Sequence, residues 1–174
     1  SDDLSVLRHV DVSDAIIDVP SLTVTARQVD AADSTITADN SEVSLDTSYN
    51  GPVDVSDATV DVPKLTITGS EITATDAKLT TTNDRVKLDA NGNGPLDAAG
   101  VRIDAAGDVS LESGGDTYIN DSATQQASIE ASGDVTADHQ SGSATLYVDG
   151  VEISDTDSRL VYDPNGIAVD GVPA

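Results

Sequence analysis

The chain has no cysteine, methionine, tryptophan or phenylalanine among its 174 residues, and its only aromatics are four tyrosines. Without cysteine there is no disulfide framework and no thiol chemistry. Without large rings a globular core of ordinary thickness is hard to fill. Basic residues are scarce as well: eight Lys and Arg stand, scattered, against 32 Asp and Glu. No basic patch can replace phosphate counterions, which argues against double-stranded nucleic acid as a partner. No apolar run approaches the roughly 18 residues of a membrane-spanning helix. No stretch holds a 3.6-residue apolar stripe for three turns, so almost no helix is expected. The first residues, SDDLSVLRHV, lack the basic region and apolar run of a signal peptide. They suit a chain whose initiator Met was removed, and a signal removed before residue 1 gives the same start.

The formal net charge is −24. Such a chain repels itself at low ionic strength. Salt at 1 M shortens the reach of that repulsion to about 3 Å. The composition therefore predicts a protein that works in concentrated salt, as in a halophilic organism or its virus. The alternative is an acidic low-complexity surface segment from an ordinary organism.

A duplication organises the first half. Residues 10–52 read VDVSDAIIDVPSLTVTARQVDAADSTITADNSEVSLDTSYNGP, and residues 53–95 read VDVSDATVDVPKLTITGSEITATDAKLTTTNDRVKLDANGNGP, in ungapped register. A degraded third copy starts at Leu96. The apolar positions come as doublets with one residue between, such as Val10/Val12, Ile17/Val19, Leu22/Val24 and Val43/Leu45. Alternation of this kind turns two side chains inward and one outward, and the outward ones are Asp, Thr, Ser and Glu. A short strand every few residues is dense for a sandwich. It suits a β-solenoid in which each strand stacks on its equivalent one coil away, with two coils of about 21 residues per repeat. The fold class expected is all-β: a β-solenoid or β-helix of short strands. Tandem small β-sandwich or jelly-roll domains are the alternative.

The chain divides into 1–100, holding the duplicated repeats, then a Gly/Asp-rich β-repeat region at 101–140, then 141–174. Two-residue hairpin signals mark the last part: Asp149-Gly150 lies between LYV and VEI, and Asp163-Pro164-Asn165-Gly166 separates RLVY from IAVD. These hairpins would form a cap on the open end of the stack.

The best candidate for metal chemistry is DANGNGPLD. Asp89, Asn91 and Asn93 follow the alternate-oxygen pattern of a calcium loop, with Gly94 at the turn and Asp97 beyond. The acid at the twelfth position is missing; Gly100 stands there. The first repeat offers a weaker equivalent in Asp46, Ser48, Asn50 and Asp54. Ca²⁺ at either loop would be structural, and a polar inter-strand turn is the plain alternative. His9 and His139 have no nearby imidazole partner and read as surface residues. No G-x-S-x-G elbow, Ser-His-Asp order or phosphate loop is present, so no catalytic residue is assigned and the protein is expected not to be an enzyme. Tyr147, Arg159 and Tyr162 form the one concentrated candidate for a partner-binding surface; covering the end of the core is the other use of those rings.

The units IDAAGDVSL and IEASGDVTA, within residues 101–137, resemble the β-helical needle of phage tail-spike and VgrG-like baseplate proteins, in which three chains wind into a spike. The H-x-H tip of such needles is absent here. The evenly spaced Val, Ile and Leu anchors of residues 10–90 resemble those of bactofilin-like filament proteins, including the halofilin group, though their Gly-bearing corners are missing from most of this stretch. Together these resemblances imply a structural protein of a haloarchaeal virus: a fibre, spike, tail or capsid-decorating subunit in the virion. It would form a trimer or other cyclic homo-oligomer with other virion proteins. The alternatives are a polymer-forming cytoskeletal protein in the cytoplasm of a halophile, or a cell-surface adhesin binding a host protein or glycan.

Overall fold

The computed structural model describes residues 8–47, 51–91, 94–120, 122–133 and 135–139, and the backbone of four further strands between 146 and 170. The chain winds as a β-solenoid. Each coil lays down one short strand in each of three sheets, which have seven, seven and eight strands among the described residues. We call them sheets A, B and C in the order a coil meets them. Within each sheet successive strands pair parallel with their equivalents one coil away, except for the last strand of sheet C, which pairs antiparallel. Val10 lies beside Val29 and Val29 beside Val53 in sheet A; Ile17 lies beside Ile36 in sheet B; Leu22 lies beside Val43 in sheet C. No described residue is helical.

The 43-residue repeat is two coils, as its spacing predicts, but the coils are unequal. In sheet A the step from Val10 to Val29 is 19 residues and the step from Val29 to Val53 is 24. The second repeat repeats both steps, from Val53 to Ile72 and from Ile72 to Leu96. The passage from sheet A to sheet B stays constant through these coils, so the extra residues fall at the other two corners.

Alternation within each strand fills the interior. In Lys64–Gly69 every second residue is buried, and Leu65 and Ile67 are fully so. Stacking then sets equivalents over one another: Leu65 lies between Val43 and Val86, and Ile67 between Leu45 and Leu88. Alanine occupies the narrow corners, as at Ala31, Ala58, Ala74, Ala77 and Ala98. A buried Val, Leu or Ile side chain contributes about 1.5–3 kcal/mol. No ring is needed, because the interior is one side chain wide from each wall. The first coil is the exception. Val10, Val12, Ile17, Leu22 and Val24 are only partly buried, since they stack on a neighbour from one side.

The A-to-B corner carries a feature that the doublet pattern does not announce. Asp14, Asp33, Asp57 and Asp76 all have φ between 55° and 57°, and Gly100 takes the same place with φ 65°. Asp tolerates this left-handed conformation better than most residues. Their amides continue the coil-to-coil ladder, with Asp14 N donating to Ala32 O, Asp33 N to Ser56 O, Asp57 N to Thr75 O and Asp76 N to Ala99 O. Three residues upstream a second acidic column closes the turn. Asp11, Asp30, Asp54 and Asp97 each accept through Oδ1 from the amide two residues on. The Ser13 hydroxyl and amide hold the Asp11 carboxyl below the usual carboxylate range. Two lines of carboxylates thus run along one edge, with neighbours in successive coils roughly 4.8 Å apart; Thr73 interrupts the second line between Asp54 and Asp97. Asp57→Asn keeps the left-handed tolerance and removes one charge from the middle of a line. We expect it to raise Tm by about 2–4 °C at low salt and to change nothing at 3 M salt; equal gains at both salts would mean that charge is not the cause.

The chain beyond 140 corrects one expectation. Asp149-Gly150 does not join a hairpin. Leu146–Asp149 pairs parallel with Thr117–Asn120 in sheet A, and Glu152–Ser154 pairs parallel with Ser128–Ala131 in sheet B. Each strand meets the open edge that the preceding coil leaves in its own sheet, where backbone partners already stand in place. Arg159–Asp163 continues sheet C, and an antiparallel pairing follows, with Arg159 beside Asp170 and Leu160 beside Val169.

Candidate functional site

The outward side chains of the sheets form columns, one member per coil, and these columns are the surfaces the fold presents. On sheet C, Lys87 is the cation of an otherwise hydroxyl-rich column. Its neighbours in register are Thr66 and Ser110. Its ammonium lies 3.2 Å from Asp89 Oδ2 and 3.0 Å from Glu112 Oε1. Ser110 Oγ donates to the same Glu112 oxygen at 2.9 Å. Burial pulls the Lys87 pKa down, but the two carboxylates outweigh it and hold it above the ordinary value. Because the folded value is raised, this contribution to stability is complete below pH about 10.4 and is lost as pH rises through the folded pKa. Lys87→Gln leaves Asp89 and Glu112 facing each other in register. We expect a loss of about 0.5–1 kcal/mol at neutral pH, readable by denaturant titration, that disappears above the Lys87 pKa.

The residues of the expected calcium loops separate onto different surfaces. Asp89 points out from sheet C, and its Oδ1, with the Oδ1 of Asn91, is buried without a hydrogen-bond partner among the described residues. Asp97 and Asp54 instead lie on sheet A and close the turns at the A-to-B corner. Asp46 lies on sheet C beside Thr68. Asn93, Ser48 and Asn50 lie outside the described residues. No group of three or more His, Cys, Asp or Glu that could hold a metal ion occurs among the described residues. Tyr147, Arg159 and Tyr162 are on strands, with Tyr147 beside Tyr118 and Tyr162 beside Ala137. Their side chains lie outside the described residues.

Two features were missed in the sequence. The first is a polar knot over the last left-handed corner. The Asp76 carboxylate accepts from the hydroxyls of Ser122 and Thr124. Gln125 Nε2 donates to Gly100 O at 2.5 Å and to Asp76 O at 3.3 Å. These residues belong to an insertion that lengthens the A-to-B corner of the sixth coil, and they are packed down across two coils. A Cβ at Gly100 would stand 2.1 Å from Asp76 Oδ1, so only glycine fits beneath the knot.

The second is a shallow cleft of about 250 Å³ on the outer face of sheet B, lined by Lys78, Thr80, Arg102, Ile103, Asp104, Ser128 and Glu130. Lys78 and Arg102 are direct cross-strand neighbours, as are Thr80 and Asp104, and Asp104 and Glu130. A search for charge clusters along the chain misses them, because they lie 24 or 26 positions apart.

An all-β solenoid with polar faces and continuous parallel sheets defines a repetitive structural module, the architecture of tail-spike and other β-helical structural proteins. A family comparison narrows this. Residues 6–140 match the DUF2807 family, described as "Putative auto-transporter adhesin, head GIN domain", and the chain belongs to that family. The chain is a non-enzymatic, repetitive β-solenoid structural module. No curated protein and no solved structure matches the chain. No helix among the described residues is long and apolar enough to cross a membrane.

Proposed function

We propose that the protein is a cell-surface adhesion module of a halophile, in which the solenoid is a stiff body that presents its outer sheet faces to a partner. The family match over residues 6–140 carries this reading. It favours the adhesin over the virion subunit and over the cytoskeletal polymer, both of which share the fold. The net charge of −24 supports the saline setting. The test is to label intact cells with an antibody to the purified chain and to compare attachment of wild-type and deletion strains. Labelling of intact cells together with a several-fold loss of attachment is the expected result. Labelling that requires lysis and follows internal filaments would transfer the assignment to the polymer. Recovery of the chain in purified virus particles would transfer it to the virion.

A further inference from the structure

We propose that the cleft on sheet B binds one acidic sugar unit, a pyranose bearing a carboxylate beside free hydroxyls. This rests on the adhesin reading and gives it a ligand class.

The first argument is from charge placement. The chain has eight basic residues and 32 acidic ones, yet two of the eight are set side by side. Like charges directly opposite each other on neighbouring strands destabilise a sheet. Lys78 and Arg102 are both exposed, and neither has an ion pair or side-chain hydrogen bond among the described residues. Lys87 and Lys64, by contrast, lie against carboxylates within 3.3 Å. Two adjacent cations without a direct ion-pair partner are a local cost on their strand pair, and such breaches of local rules concentrate at functional sites.

The second argument is from what faces the pair. Two residues along each strand, on the same outward face, stand Thr80, Asp104 and Glu130. The two columns are separated by roughly 7 Å, and three coils span roughly 10 Å. That rectangle accommodates one pyranose ring with its substituents. Lys78 and Arg102 supply charge-assisted donors for a carboxylate. Asp104 and Glu130 supply acceptors that suit sugar hydroxyls, which are donors. Thr80 and Ser128 can do either. A bare phosphate or sulfate finds two cations but also two repelling carboxylates. A neutral sugar leaves the cations unused. A ligand with an anionic end and a hydroxylated end uses all six side chains.

The test is a ¹H–¹⁵N NMR titration of the full chain with glucuronate, glucose and acetate in turn. Glucuronate should give saturable shifts at the amides of 78–80, 102–104 and 128–130, with glucose and acetate at least tenfold weaker. Lys78→Gln/Arg102→Gln should weaken glucuronate at least tenfold without lowering Tm. Asp104→Ala/Glu130→Ala separates a sugar site from simple anion pairing. Loss of the hydroxyl acceptors weakens glucuronate if the sugar is held at both ends, and loss of nearby negative charge strengthens it if only an anion is held. Equal shifts with acetate, tighter binding by the Asp104/Glu130 variant, or no saturable shift at all would each overturn the proposal. Attachment of cells by a chain that ignores glucuronate would remove the sugar site and leave the adhesin. Binding of glucuronate by a chain that attaches no cells would keep the site and remove the adhesin.

Discussion

Raising monovalent salt from about 0.1 M to 3 M should raise the melting temperature by about 10 °C or more. The reason is the geometry of the A-to-B edge. Asp14, Asp33, Asp57 and Asp76 form one line of carboxylates, and Asp11, Asp30, Asp54 and Asp97 form another. Two unit charges about 4.8 Å apart in water repel by roughly 0.9 kcal/mol, and Asp30, Asp33 and Asp57 each have two such neighbours. Unfolding separates them, so the repulsion counts against the folded state alone. At 1 M salt the screening length is about 3 Å, shorter than the spacing along the line. The repulsion then fades while the aliphatic stack is strengthened or unchanged. Thermal melts followed by circular dichroism across a salt series check this. A flat series would show that the edge is neutralised by other means and would remove the main support for a saline habitat.

The second large effect is a contrast between two identical substitutions in one column. Leu22, Val43, Leu65 and Val86 stack in register on the inner face of sheet C. Leu65 is fully buried between two coils, whereas Leu22, in the first coil, is only partly covered. Leu65→Ala should cost about 3–5 kcal/mol, because it removes apolar contact and leaves a cavity that coils on both sides cannot close. Leu22→Ala should cost about 1–2 kcal/mol, since solvent already reaches that site and relaxation is easy. Denaturant titration of both variants measures the difference. Equal losses would mean that the first coil is as well covered as the interior.

The architecture was largely legible because the fold is built from its own periodicity. The doublets at Leu22/Val24 and Val43/Leu45 mark inward pairs, and the ungapped match of 10–52 with 53–95 fixes the two-coil unit. The inequality of the two coils, 19 and 24 residues rather than about 21 each, was not legible, because the anchors alone do not say which polar residues stand at a corner and which lengthen it. The left-handed line was half visible. Direct alignment equates Asp14 with Asp57 and Asp33 with Asp76, but the two sets join only once the steps of 19 and 24 residues are known. The hairpin reading of Asp149-Gly150 failed because a local turn signal competes with a ready-made edge that only the stacked coils provide. The cleft was invisible for a related reason. Lys78, Arg102 and Ser128 become neighbours through coil length, which pairwise spacing of charges does not encode.

The unequal pair of coils has a hereditary consequence. A short coil of 19 residues always hands its corner geometry to a long one of 24 in the duplicated region. A gene that grows by copying one coil would put two unlike corners out of step. Copying both preserves every register, and it lengthens the body by roughly 10 Å. The duplicated region is therefore a ruler graduated in 43-residue marks, and it lengthens in register only by whole divisions.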